Sequence, residues 1–286
     1  MINLFLFERI LRNKEEFYTA LIEKKGLTAI TRDAALSITI FGALYGATMG
    51  VWSWEPLQIA FSSLKVPLLL LISIVVVLPS FYVVNLTMGG RYSFLQLTAL
   101  FLSSFSIATT ILLAFVPVNL FFMITSPRDT DSYFFMVLLN LIIYGFGGLI
   151  SIVYLVEGVQ FLGQRKEKAM TLKDLIPVAV AIGTLAFIGT QMAWFIRPWF
   201  NYEPDFIRPE TYGNFYVAVF KVIFSRPYIG IIFLFIAALI MIPFVIWISR
   251  ILHSLPVTDS GKSNTSHQTE RQEVLPSTTV QQQEKT

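Results

Sequence analysis

The stretch GTLAFIGTQMAWFIRPWF, residues 183–200, decides the fold class of this chain. It begins as an uncharged apolar segment and ends in tryptophans, an arginine and a proline, a composition typical of a helix that leaves a bilayer for water. The segments before it have the same apolar character, and one more follows it. This pattern predicts a chain that crosses a membrane several times.

The composition of the whole chain supports this prediction. Hydrophobic residues make up 55% and charged residues only 14%, with a mean hydropathy of +0.67, far from the values of a soluble domain. The absence of cysteine excludes disulfides, thiolate metal sites and cysteine nucleophiles. We therefore expect an all-α, polytopic integral membrane bundle whose first partner is the lipid bilayer.

Six segments are long enough to cross the membrane, which takes roughly 20 apolar residues for about 30 Å of hydrocarbon. The expected spans are residues 34–54, 66–86, 94–116, 133–156, 175–196 and 228–249. In the third uncharged run, Pro117 and Asn119 predict that the helix ends there and that residues 120–124 lie along the interface. The transmembrane domain then covers residues 34–252.

The two ends of the chain differ from this domain. Residues 1–33 alternate charged and apolar positions with a helical spacing, which predicts an amphipathic helix. That helix either lies on the membrane surface or packs on the protein's own loops. Residues 253–286 contain almost no large apolar side chains and are predicted to be a disordered cytoplasmic tail.

Basic residues predict the orientation. The loops on the side of the two termini carry 15 Lys and Arg, and the other loops, with Lys65 among their residues, carry 6. By the positive-inside rule, both termini are expected in the cytoplasm and the loop 197–227 outside, in the cell membrane. Within this loop, residues 214–225 are too short to span and predict an interfacial or re-entrant helix.

Gly42, Gly46 and Gly50 repeat at every fourth position of the first span. Small residues at this spacing let a neighbouring helix approach closely where lipid offers no hydrophobic drive for packing. The preferred interpretation is a helix–helix seam within the bundle. The alternative is a surface for a protein partner or for a second copy of the chain.

Residues that could support catalysis are scarce. The two histidines, His253 and His267, do not form a metal-binding pattern, and the phosphate-loop, serine-hydrolase, dinucleotide and zinc-protease motifs are all absent from the sequence. We therefore expect no enzyme activity, no catalytic residue, no metal or other cofactor and no nucleic-acid partner.

Glu157 is interpreted as the one carboxylate that continues an apolar span. An ionisable group inside a bilayer marks an ion or proton site, but residues 132–156 already suffice to span, which favours the cytoplasmic interface for Glu157. In a shifted helix, Glu157 and Gln160 would point into the bundle. With Asn140 of the same span and Gln191, they would form the polar site of a transporter or channel, our alternative hypothesis.

The end of the 183–200 stretch has two interpretations. Trp194 and Trp199 flank Arg197, which is the ordinary form of an interfacial anchor. Gln191, Trp194 and Arg197 are also spaced three apart, so they could form a polar and aromatic patch, with Trp199, that binds a headgroup or a partner protein.

One family resemblance is present. The second span has a lysine–proline entry at Lys65 and Pro67, contains Pro79, and is followed by a glycine turn at residues 88–94. Over roughly residues 60–160, this pattern resembles the Yip1-type membrane proteins and their bacterial relatives. The chain differs in having six spans where that family has five, and in adding residues 191–200. The resemblance implies non-enzymatic membrane organisation, or the membrane subunit of a complex, and carries over no functional residue.

Overall fold

The computed structural model describes residues 10, 12–87, 92–164, 172–197, 199, 205–207 and 213–254. Over these residues the chain is all-α and contains no strand. The helices are α1 Lys14–Ile22, α2 Leu27–Gly50, α3 Pro56–Thr87, α4 Phe94–Ala114, α5 Val116–Thr125, α6 Thr130–Gln164, α7 Leu172–Phe195, α8 Phe215–Ser225 and α9 Pro227–Ser254, with a 3₁₀ turn at Val51–Ser53. The first two residues of the predicted tail belong to α9; the rest of the tail and most of the basic 165–173 loop lie outside the described residues.

The predicted number of spans is confirmed. Within the described residues, six helical segments are long and apolar enough to cross a membrane: Leu27–Ser53, Pro56–Thr87, Phe94–Ala114, Thr130–Leu162, Ile176–Phe195 and Pro227–Ile251. Two predicted starts were wrong. The first span begins at Leu27 instead of 34, and the second begins at Pro56 instead of 66 because proline is well suited to the first turn of a helix. Lys65 is therefore a helix residue and not a loop residue.

The glycine repeat is the seam between α2 and α3. A Cβ atom on Gly46 would lie 2.3 Å from the carbonyl oxygen of Ser62, and one on Gly50 would lie 2.4 Å from the Cα of Ile59. Gly42 faces Val66 and Pro67, so the two helices run antiparallel with their backbones in contact. The glycine face is thus covered by the chain's own α3, as the preferred interpretation predicted, and is not open to a second copy.

α4 is the central and most buried span, whereas α7 and α9 lie at the periphery. α4 packs against α2 on one side and α6 on the other. Gly147 of α6 approaches the Ala108 carbonyl, and Gly158 approaches Leu100 and Tyr18, whereas Gly145 and Gly148 face open space. Only part of the predicted glycine cluster of this span therefore serves close packing.

The loops gather at two ends of the bundle. We call the end that holds α1 and the start of α4 the α1 end, and the end that holds the 3₁₀ turn, α5 and α8 the α5 end. At the α5 end the helix breaks at Phe115, as predicted from Pro117, and α5 forms a separate short helix.

The backbone N–H of Ser132 donates to Asp129 over 2.7 Å at the start of α6, and this hydrogen bond lowers the pKa of Asp129.

α1 packs on helices α4 and α6 of the protein itself, and not on its loops as one of the two predicted alternatives had it. Phe17, Tyr18 and Leu21 are buried. Gln96 ties the C-terminal end of α1 to α4, because its side-chain nitrogen donates to the carbonyl of Leu21 over 2.9 Å while its oxygen accepts from Ser93 in a capping box. A large apolar cluster joins α1 to α4, α6 and α7.

Candidate functional site

In the described part of the chain, three sets of polar side chains join different elements of the fold through hydrogen bonds; two of these sets are buried and the third is partly exposed. One set links α2, α5 and α6 near the α5 end. A second lies along the first turns of α3. The third holds α1 against α6. Burial of a polar group is unfavourable unless it is hydrogen-bonded, so the partners of each set show which elements it holds together.

The first set is a closed ring of hydrogen bonds, which we call the polar ring. Tyr45 Oη donates to Asn140 Oδ1 over 2.7 Å, and Asn140 Nδ2 donates to Asn119 Oδ1 over 3.3 Å. Asn119 Nδ2 donates to Thr48 Oγ1 over 2.8 Å, and Thr48 Oγ1 donates to the Tyr45 carbonyl over 2.7 Å. All four residues are buried. The ring fixes α5 between α2 and α6.

The sequence singled out Asn140 but missed its partners. Asn119 was interpreted only as a sign that a helix ends, and Tyr45 and Thr48 were not identified. Tyr45 and Thr48 lie near the end of the first span, three residues apart and hence on one face of α2. That spacing was a weak signal for a polar contact.

The second set, which we call the α3 polar face, consists of Gln58, Ser62 and Lys65. These residues are spaced four and three apart on one side of α3, and all three are fully buried. Ser62 Oγ donates to the carbonyl oxygen of Trp199 over 2.6 Å, and Lys65 Nζ donates to the carbonyl oxygen of Asp205 over 2.9 Å. The α3 polar face therefore holds the segment that follows α7.

The predicted patch spans the end of α7 and the start of that segment. The Arg197 guanidinium stacks on the Trp194 ring, with Cζ 3.6 Å from the ring centroid, although α7 ends at Phe195. Trp199 Nε1 donates to the carbonyl of Ala193 over 3.0 Å and so folds the chain back. Three of the four predicted patch residues are thus brought together, and Gln191 lies half-buried one turn earlier on α7.

A second stack of the same kind lies at the same end. The Arg128 guanidinium is 4.3 Å from the centroid of the Trp52 ring, and Trp52 is buried. Trp52 belongs to an apolar cluster against which Trp199 packs. The α5 end therefore carries two arginines stacked on tryptophan rings. The second stack was missed because its partners are 76 positions apart in sequence.

The third set involves Glu157, which does not point into the bundle. Its Oε2 accepts from Lys14 Nζ over 2.9 Å, and the exposed fractions of the two side chains are 31% and 39%. Lys14 also lies over the Tyr154 ring at 4.4 Å, and Tyr18 Oη donates to the Tyr154 carbonyl over 3.1 Å. Gln160, one turn further, is half-buried.

The contact with Glu157 raises the pKa of Lys14. Burial alone would lower the pKa of Lys14, but the hydrogen bond and the negative charge of Glu157 raise it overall. Because the pKa of Lys14 is raised on folding, the stabilisation linked to its charge is present below the unfolded-state pKa and is lost as the pH rises through the folded-state pKa.

Glu157 is not the only carboxylate in a span. Asp33 lies inside Leu27–Ser53 with an exposed fraction of 6%, and it accepts from Arg32 Nε and Nη2 at 3.0 and 2.9 Å. The interpretation of Glu157 as the single such residue was wrong, because the first span begins seven residues earlier than predicted.

The residues of the transporter hypothesis do not form one site. Asn140 and Glu157 lie on the same helix 17 positions apart, which corresponds to about 25 Å along its axis. Asn140 belongs to the polar ring, and Glu157 belongs to the contact with α1.

Among the described residues, no three His, Cys, Asp or Glu side chains are grouped so that they could hold a metal ion.

No protein-family model, curated protein sequence or solved structure matches this chain. The resemblance to Yip1-type proteins stays a prediction. The length and composition of the six apolar helices define the class as an all-α, multi-pass membrane protein.

Proposed function

We propose that this chain is a non-enzymatic, Yip1-like protein that organises a membrane or serves as the membrane subunit of a complex. The observation that supports this best is where polar side chains of different elements contact one another. The polar ring, the α3 polar face and the contact at Glu157 each join elements of the same chain at an end of the bundle. A transport site would instead need such groups to converge at the middle of the membrane.

The α5 end is the surface we propose for partner binding. Arg197 and Arg128 each lie on a tryptophan ring, and a guanidinium held in this way can bind a carboxylate or phosphate with two parallel hydrogen bonds. The α3 polar face anchors the segment that carries Arg197, so this group is presented from a fixed position. Its ligand is a lipid headgroup or an acidic residue of a partner protein.

Substitution of Arg197 tests this proposal. A lysine can anchor a helix at the interface but cannot stack on Trp194 or make a two-pronged contact. We expect Arg197→Lys to reduce co-purification of the bound lipid or partner nearly as much as Arg197→Ala, at unchanged expression. The measurement is quantitative mass spectrometry of co-purified lipids and proteins from matched amounts of each variant.

The matched control is Lys221→Ala, which removes an exposed cation of α8 at the same end of the bundle. It should co-purify the same molecules as the parent protein. The binding role would be refuted if Arg197→Lys behaved like the parent and Arg197→Ala lost only yield. Arg197 would then be an interfacial anchor.

We further propose that the protein resides in the cell membrane with both termini in the cytoplasm, so that the α5 end faces outward. The excess of basic residues on the side of the termini supports this orientation. The correction at Lys65 strengthens it, because this cation no longer counts as an outward loop charge.

Cysteine labelling checks the orientation against a background free of native cysteine. Glu55→Cys, at the exposed turn before α3, should react with a membrane-impermeant maleimide in intact cells. Lys25→Cys, in the exposed turn before α2, should react only after the cells are permeabilised. The reverse pattern would show that the α1 end faces outward.

A further inference from the structure

The contact between Lys14 and α6 has the geometry of a recognition site for an ammonium group. Lys14 Nζ lies 2.9 Å from Glu157 Oε2 and 4.4 Å from the centroid of the Tyr154 ring. Tyr154 and Glu157 are three residues apart and therefore lie on the same face of the helix. A carboxylate that accepts a charge-assisted hydrogen bond, beside an aromatic face that attracts a cation, is how proteins recognise alkylammonium groups.

Both recognition groups belong to α6, and the cation comes from α1. α6 is packed closely on α4 here, because a Cβ on Gly158 would lie 2.4 Å from Leu100 Cδ1 of α4 and 3.0 Å from Tyr18 Cε1 of α1. Lys14 reaches Glu157 at the end of a long, flexible side chain. Since Lys14 and Glu157 are both partly exposed, another ammonium group can exchange with Lys14 from the solvent side.

We propose that Tyr154 and Glu157 form a binding site for a primary ammonium group, and that Lys14 occupies this site from within the chain. Two sources share this chemistry: the ethanolamine headgroup of a phospholipid and a free alkylamine. Glu157 lies five residues before the end of the span Thr130–Leu162, about 8 Å along the helix, which places the site near the level of lipid headgroups.

Chemical rescue tests the site. Lys14→Ala should lower the unfolding temperature of the purified protein in detergent, and ethylammonium chloride should restore about half or more of the loss by binding the emptied site. Equal concentrations of sodium chloride should not restore it, and tetramethylammonium chloride should do less, because it cannot donate a hydrogen bond to Glu157.

The double variant Lys14→Ala with Glu157→Gln is the specific control. It retains the cavity but lacks the carboxylate, so ethylammonium should no longer stabilise it. Lys25→Ala, which removes an exposed cation paired with Glu23, controls for the loss of a charge near α1. The proposal would be overturned if ethylammonium stabilised the parent, the single variant and the double variant equally. It would also be overturned if ethylammonium did not stabilise Lys14→Ala.

Nanodiscs distinguish the two sources of the ligand. If the headgroup is the source, Lys14→Ala should gain more stability than the parent when phosphatidylcholine is replaced by phosphatidylethanolamine, and the double variant should not. Rescue by ethylammonium without this gain assigns the site to free amines. A gain from phosphatidylethanolamine that persists in the double variant, without ethylammonium rescue, counts against the site.

If Lys14→Ala does not fold, the parent protein provides a second measurement. Ethylammonium that competes for Tyr154 and Glu157 should displace Lys14 and raise its acetylation rate relative to Lys25 in the same molecule. Mass spectrometry of the acetylated peptides measures this ratio. A ratio that is independent of ethylammonium concentration would overturn the proposal.

Discussion

Replacement of Gly46 by alanine is expected to be among the most damaging single-methyl changes in this protein. The new Cβ would lie 2.3 Å from the carbonyl oxygen of Ser62 and 2.9 Å from a Val66 methyl group, so the backbones of α2 and α3 must separate. Overpacking of this kind costs about 1–3 kcal/mol or more where backbone must move. Thermal unfolding in detergent and the yield of monodisperse protein measure the effect.

Gly183→Ala is the matched control. Gly183 is also a glycine within a spanning helix, but a Cβ there would meet no atom within 4 Å. Alanine forms helix better than glycine by about 1 kcal/mol, so this variant should be neutral or slightly stabilised. Similar losses in both variants would show that alanine is poorly tolerated for reasons other than the α2–α3 contact.

Asn140→Leu is expected to have the second large effect, because it opens the polar ring at two places. Tyr45 Oη loses its acceptor and Asn119 Oδ1 loses its donor, both in buried positions. A buried polar group left without its partner costs about 1–3 kcal/mol. We expect a lower unfolding temperature and faster hydrogen exchange in α5, the helix that the ring holds in place.

Thr190→Val provides the comparison for Asn140→Leu. Thr190 Oγ1 lies 3.1 Å from Tyr216 Oη, but neither side chain is fully buried, so the loss of this contact should leave no buried polar group without a partner and cost less. A double-mutant cycle of Asn140→Leu with Tyr45→Phe should show non-additive losses, since the two changes break the same hydrogen bond. Additive losses, or unchanged exchange in α5, would contradict the proposed role of the ring.

The number of spans could be predicted from the sequence because it depends on local properties. A run of apolar residues of sufficient length is visible without knowledge of its neighbours, and so is the break at Pro117. The starts of the first two spans could not be placed on this basis, since α2 and α3 extend through polar residues such as Asp33 and Lys65. Asp33 is paired with its sequence neighbour Arg32, whereas Lys65 is tolerated because the fold brings the carbonyl of Asp205 to it.

The partners themselves depend on contacts between distant parts of the chain. Lys14 and Glu157 are 143 positions apart, and Asn119 and Thr48 are 71 apart. Hydrophobic periodicity identifies which face of a helix is buried but not which helix covers it. The stack of Arg197 on Trp194 is different, because its partners are three residues apart, and the patch prediction identified both.

The α3 polar face has a consequence for the time course of synthesis. Lys65 leaves the ribosome 140 residues before Asp205, and Ser62 leaves it 137 residues before Trp199. At about 5–20 residues per second, roughly 7–30 seconds pass before the carbonyl groups that accept their hydrogen bonds exist. During this interval the ammonium of Lys65 must reach interfacial water along its own side chain. The seam between α3 and the chain after α7 is therefore among the last parts of the bundle to close.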